Sequence, residues 1–207
     1  MLDAVIADRE FGPHIDPDRV GAAGHSLGGY TVIELAGGIG SYAQLQASCK
    51  AAPDDVSCAP PPEYADLRAK AEALARADAG FAAALAGGAS SYRDPRVRAI
   101  FAMAPALGPA FAPQSLSAVT TPAAIVVGDA DKIAPADRNA RFFAANIPLA
   151  ELTILPGGVG HYAFIDACTA IGRFLASTIC TDGQGVDRVA VHGVAAELAI
   201  RFFGAHL

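Results

Sequence analysis

Three residues of this sequence have the types and the order that nucleophilic catalysis on an acyl group requires: Ser26, Asp131 and His161. A serine hydroxyl is a weak nucleophile until a base takes its proton, and the base needs an acid to hold its tautomer. Ser26 stands in Gly24-His25-Ser26-Leu27-Gly28-Gly29. An apolar run at residues 20–23 precedes it after an Asp-Pro turn, and residues 30–36 read as a helix. Strand, G-x-S-x-G and helix are the context of a nucleophile elbow, a turn sharp enough to lift the serine Oγ above a sheet. Gly24 and Gly28 are expected to be required, because a Cβ at either would collide with the neighbouring strand or helix. The same turn puts the Leu27 N–H at a helix N-terminus, where it can donate to a developing oxyanion.

The other two members need loops at the same edge of the sheet. Asp131 lies in Gly128-Asp129-Ala130-Asp131, just past the apolar run of residues 123–127. His161 lies in the glycine-rich loop Pro156-Gly157-Gly158-Val159-Gly160-His161-Tyr162 after residues 151–155. For Asp131 the alternative is a carboxylate that only caps the following helix. Asp129 competes for the acid's place but sits nearer the strand end, where it is expected to hold the turn. His25 is expected to pack within the elbow and, with Tyr162, to border the substrate; Phe164, Tyr30 and the loop after Met103 are further lining candidates. His14 reads as a solvated loop residue, and His192 and His206 as surface or packing residues of the last helix.

These residues need elements to carry them. Strand-like runs at 20–23, 96–103, 123–127 and 151–155 alternate with helical segments, which makes a doubly wound, mostly parallel α/β sheet. A fully apolar run such as 123–127 is typical of a parallel strand buried on both faces. Residues 1–10 read as the end of an amphipathic helix, and residues 136–146 and 163–180 as helical. From Asp187 a last helix buries Val191, Val194, Leu198, Phe202 and Phe203. Residues 41–62 are irregular and end in Pro60-Pro61-Pro62; residues 63–85 form a helix or helical pair with Leu67, Leu74, Phe81 and Leu85 along one side. The whole stretch 41–92 reads as a cap-like insertion over the site, or as plain cover for the sheet. Residues 1–207 are expected to form one domain.

Composition narrows the function classes. A hydrophobic content of 53% with 17% charged residues excludes a disordered chain. The net charge of −6, with no basic run, argues against nucleic acid or an anionic membrane as partner. No apolar stretch is long enough and free enough of charge and prolines to span a membrane. Asp3, Asp8, Arg9 and Glu10 interrupt any signal-peptide core. The four cysteines form two close pairs, Cys49/Cys58 and Cys168/Cys180, and local pairing is the simplest arrangement of the three possible. Disulfides would place the chain in an oxidising compartment, periplasmic or secreted; four free thiols in a cytoplasmic protein are the alternative. Neither pair has C-x-x-C spacing and no histidines cluster, so no metal or other cofactor is expected.

The stretches DPDRVGAAGHSLGGYT, VRAIFAMAPALG, IVVGDADKIAP and GGVGHYAFID resemble the dienelactone-hydrolase-like serine hydrolases, a group similar to the platelet-activating-factor acetylhydrolases. The resemblance runs over most of the chain. It implies the α/β-hydrolase fold, with Ser26 as nucleophile, Asp131 as acid and His161 as base, and it makes the paired cysteines features of exported members. True dienelactone hydrolases use a cysteine nucleophile, and position 26 is serine, so dienelactone is a poor substrate candidate. The fold also places several strands before its elbow, with a loop that gives a second oxyanion donor. Only 19 residues precede Val20, so the N-terminal strands are expected to be missing. The strand at residues 20–23 would then be an open apolar edge through which copies could pair. The function expected is hydrolysis of a small or short-acyl carboxylic ester through an acyl-enzyme. The alternatives are a serine peptidase of the same fold and a non-catalytic, truncated fragment of such a hydrolase.

Overall fold

The computed structural model describes residues 2–60 and 64–207. Met1, the expected irregular run through Pro61 and Pro62, and the expected helix start at Glu63 lie outside the described residues. Four strands pair in parallel in the order β1 (Val20–His25), β2 (Val97–Met103), β3 (Ala123–Gly128) and β4 (Ala150–Leu155). Each forms on the apolar run read as strand. The helices described are α1 (Leu2–Ile6), α2 (Leu27–Leu35), α3 (Tyr42–Ala51), α4 (Leu67–Ala77), α5 (Ala79–Gly87), α6 (Pro113–Ser117), α7 (Ala140–Asn146), α8 (Ala170–Leu175), α9 (Ser177–Cys180) and α10 (Arg188–His206).

Strands placed side by side in chain order send every crossover the same way, so the connecting helices gather on one face. Side chains alternate across each strand, and the two faces have different partners. Ile100, Ala102, Ile125 and Val127 pack with Val32 and Ile33 of α2, Phe143 of α7 and Leu116 of α6. Ala99, Phe101, Ala124 and Val126 face the other way, onto Val191, Leu198, Phe202 and Phe203 of α10. β3 is buried along its whole length, as its apolar run requires. β1 pairs with β2 alone among the described residues, and Gly21 and Ala23 are exposed.

Several expected boundaries and faces shift. The helix or helical pair expected from residue 63 is two helices, α4 and α5, broken at Asp78, whose carboxylate caps α5 by accepting the Phe81 N–H at 2.9 Å. Leu67 and Leu74 are about half exposed, so the apolar side expected for α4 is not a core face. Val194 is likewise exposed, and Ala195 takes its place in the buried stripe of α10. Residues 136–146 open with a 3-10 turn, Ala136–Arg138, before α7 starts. No helix among the described residues is long and apolar enough to cross a membrane.

Two disulfides cross-link segments outside the sheet. Cys49 and Cys58 are joined with their Cα atoms 5.6 Å apart, and Cys168 and Cys180 with theirs 5.8 Å apart. The first tightens the α3 excursion, which docks on the turn Gly108–Ala110 after β2. There the Ser41 N–H donates to the Ala110 carbonyl and Ser48 Oγ to the Pro109 carbonyl, both at 2.9 Å. Asn139, fully buried, links three segments. Its Oδ1 accepts the Gly108 N–H at 2.9 Å, and its amide N–H groups donate to Ser57 Oγ and the Pro135 carbonyl at 3.0 Å. Near the second disulfide, buried Arg188 pairs with Asp182 and donates to the carbonyls of Asp166 and Ile179.

Candidate functional site

Ser26 joins β1 to α2 with φ 56° and ψ −113°, a positive-φ conformation that a non-glycine residue adopts only under constraint. The constraint is visible on both sides of the turn. The Ser26 N–H donates to the Met103 carbonyl at 2.9 Å, and the Ser26 carbonyl accepts the N–H groups of Tyr30 at 3.0 Å and Ala106 at 3.2 Å. A Cβ on Gly24 would stand 2.2 Å from the Gly28 carbonyl oxygen, so that position admits only glycine. Gly28 itself has open space where its Cβ would go. The second sterically required glycine is Gly29, against Pro105, and not Gly28 as expected; α2 leans on the loop after β2 one residue further along.

The structure brings Ser26, His161 and Asp131 together. His161 Nε2 lies 2.8 Å from Ser26 Oγ, and His161 Nδ1 lies 2.8 Å from Asp131 Oδ2. His161 and Asp131 are almost completely buried. The other carboxylate oxygen, Asp131 Oδ1, accepts the N–H groups of Ile133 at 2.9 Å and Ala134 at 2.7 Å. The capping alternative for Asp131 therefore describes one of its oxygens only. Held in this way the carboxylate presents Oδ2 as an acceptor, so Nδ1 of His161 carries the proton and Nε2 offers a lone pair to the Ser26 hydroxyl. The Leu27 N–H belongs to the first turn of α2, where backbone donors have no acceptor within the helix.

Asp129 is the pin of the His161 loop. Its carboxylate accepts the N–H groups of Gly157 at 3.0 Å, Gly158 at 2.9 Å and Val159 at 3.1 Å. Gly157 and Gly158 have φ values of 96° and 81°, and this is what turns the chain back to meet that carboxylate. The ends of β3 and β4 are thereby fastened to each other, with the Ala130 N–H donating to the Val159 carbonyl at 3.0 Å. Further along the loop, His192 of α10 contacts the Ile165 carbonyl through Nε2 at 3.0 Å. Of the surface and packing roles open to it, it takes the second, as a partly buried tie to the site's loop.

His25, expected to border the substrate, is half buried and turned onto the base. Its Nε2 is 2.9 Å from the His161 carbonyl, and the two imidazoles lie 4.8 Å apart, tilted by 47°. Burial, reinforced by the neighbouring His161, holds its pKa below the ordinary histidine value. Tyr162 sets its ring edge-on to His161 at 5.2 Å, and Phe164 lies 6.0 Å from the His25 ring. Tyr30 is engaged elsewhere. Its hydroxyl donates to Glu34 at 2.6 Å and its ring packs on Phe111, and burial beside that carboxylate pushes the phenol well above its ordinary pKa. Of the remaining histidines, His14 is exposed, and His206 is exposed with its ring against Phe202. Among the described residues no group of three or more His, Cys, Asp and Glu side chains could hold a metal ion.

A family model described as the alpha/beta hydrolase family matches residues 1–172, which include β1 to β4 and all three residues of the hydrogen-bonded chain. The chain belongs to the alpha/beta hydrolase family. No curated protein matches it. For this hydrolase the matched region ends inside α8, so α9 and α10 lie outside it, although α10 packs on one face of the sheet. Neither Asp129 nor His192 carries a motif of its own. Asp129 could be singled out only by its place at the end of a strand, and His192 had no signal.

Proposed function

We propose that this alpha/beta hydrolase cleaves small carboxylic esters through an acyl-enzyme. The observation that carries the reading is the unbroken chain from Ser26 Oγ through His161 to Asp131, with the serine on a strained strand-to-helix turn. In acylation His161 Nε2 takes the hydroxyl proton while Ser26 Oγ bonds to the ester carbonyl carbon. The carbonyl electrons move to oxygen, where the Leu27 N–H at the head of α2 opposes the new charge. His161 returns the proton to the leaving alkoxide as the C–O bond breaks, and an alcohol departs. Water repeats the sequence on the acyl-enzyme, releasing the acid and restoring the serine. Throughout, Asp131 keeps His161 in the tautomer that can accept at Nε2 and stabilises the transient imidazolium. The substrate class is a small-molecule ester, and the two disulfides fit an oxidising compartment, periplasmic or secreted.

The test is labelling of the purified chain with a fluorophosphonate, beside the Ser26→Ala variant. Labelling of the wild type and none of the variant supports the reading. A folded wild type that takes no label overturns it. Release of p-nitrophenol from short-chain p-nitrophenyl esters, compared with amide analogues, then separates an esterase from a peptidase.

A further inference from the structure

The residue beside the nucleophile carries more than packing. We propose that His25 is a positioning residue, which holds the main chain of His161 through its Nε2–H and so fixes the distance between base and nucleophile. This rests on the acyl-enzyme reading above and deepens it.

A carbonyl oxygen can only accept, so the 2.9 Å contact between His25 Nε2 and the His161 carbonyl defines the donor. The proton sits on Nε2 of His25. Side chains hold the loop that carries His161 at several points. Asp129 takes the N–H groups of residues 157–159, His25 takes the carbonyl of residue 161, His192 takes the carbonyl of residue 165, and Arg188 donates to the carbonyl of residue 166. The His25 tie acts on the base's own peptide, and it comes from the residue bonded to Ser26. One side chain thus couples the elbow to the base loop, and a drift of either carries the other with it.

The ring must also stay neutral to serve. The two imidazoles lie 4.8 Å apart, so a charge on His25 would stand next to His161. When His161 becomes an imidazolium during proton transfer, a second cation there would oppose it. A half-buried His25, flanked by Phe164 at 6.0 Å, favours the neutral form. His25 can then donate to the His161 carbonyl without repelling the charge that the reaction creates.

Two substitutions separate the donor from the ring. His25→Phe keeps an aromatic ring and removes the N–H; His25→Gln places an amide nitrogen close to the position of Nε2. Misplacing a reacting group by about 1 Å costs on the order of 10²-fold in rate. His25→Phe is therefore expected to lose between about 10- and 100-fold in fluorophosphonate labelling rate and in kcat on p-nitrophenyl acetate, with KM unchanged. His25→Gln should recover most of that loss. Equal rates in the wild type and His25→Phe, or equal losses in both variants, overturn the proposal. If His25→Phe does not fold, His25→Asn replaces it, since its shorter amide stops short of the carbonyl. Equal rates for Asn and Gln then count against the donor role.

A readout without activity keeps this separate from the acyl-enzyme reading. The proton between His161 Nδ1 and Asp131 should give a low-field NMR resonance. It is expected to persist in Ser26→Ala, to broaden or vanish in His25→Phe and to return in His25→Gln. An unchanged resonance in His25→Phe overturns the positioning role. Absence of label on the wild type, with the resonance responding as stated, overturns the acyl-enzyme reading alone.

Discussion

The loops at the carboxyl ends of β1, β3 and β4 and the excursion between α2 and β2 are held in different ways. The loops are fastened by side-chain-to-backbone bonds that arrive from several elements, over an apolar footing of Val159, Ala163 and Phe164. Asp129 alone takes three N–H groups, and His25 and His192 add one carbonyl each. The excursion is held by a disulfide, the buried Asn139 and the Asp55–Arg138 ion pair, while half-exposed leucines line α4. Directional bonds fix angles and distances to a fraction of an ångström, whereas a covalent cross-link limits only how far a segment can unfold. Geometry is specified where Ser26, His161 and Asp131 meet, and mere tethering suffices elsewhere.

The largest effects should fall on the hydrogen-bonded chain itself. Ser26→Ala is expected to remove about 10⁶ in kcat, and Asp131→Asn about 10⁴, because the wrong tautomer of His161 then faces the serine. Both variants should keep the wild-type circular dichroism spectrum. A variant at either position that retains wild-type ester hydrolysis would remove the distinction between the specified and the tethered region.

Next in size is a contrast inside one motif. Gly24→Ala should leave no soluble folded protein, since its methyl would drive into the Gly28 carbonyl. Gly28→Ala should fold normally and gain up to about 1 kcal/mol, because alanine suits a helix better than glycine. Thermal melts of the two variants check this. The motif G-x-S-x-G made both glycines look equally constrained. Which one is pinned depends on how α2 leans across the loop after β2, and the local sequence does not record that lean.

The same reason explains what else was and was not legible. The strand-like runs at residues 96–103 and 123–127 announced strands because burial on both faces leaves little room for polar side chains. Ser26, Asp131 and His161 stood out because each follows such a run in the right order. Asn139 gave no signal, since an asparagine after a turn is ordinary until Gly108 and Ser57 arrive from distant segments. Val194 and Leu74 misled for the converse reason. Helical periodicity identifies a side on which apolar residues recur but not whether anything covers it.

A smaller effect separates the two regions by stability and rate. Cys49→Ser with Cys58→Ser should lower stability by about 3 kcal/mol in the chain-entropy account, with the fluorophosphonate labelling rate little changed. Asp129→Ala should do the opposite. Its carboxylate is exposed, so the loss in stability is only about 1 kcal/mol, while freeing residues 157–159 should slow labelling by about tenfold. If the disulfide variant lost rate in step with stability, the excursion would belong to the specified region after all.

The smallest effect concerns pH, and it tests the one titrating side chain that joins elbow to base loop. The charged groups facing His25 are His161 and Asp131, the first depressing its pKa and the second raising it. Burial decides the net shift, which is downward from 6.5. Between 6.5 and the lower native value, the unfolded chain binds a proton at residue 25 that the folded chain refuses. The contribution of His25 to stability is thus fully present above pH 6.5 and is lost as the pH falls through that value toward the native one. Thermal midpoints of the wild type and His25→Gln, measured from about pH 8 to about pH 5, should diverge in slope, with the wild type falling more steeply. Parallel slopes would mean that His25 takes its proton in the folded state as readily as in the unfolded one, and that it could not remain neutral beside a protonated base.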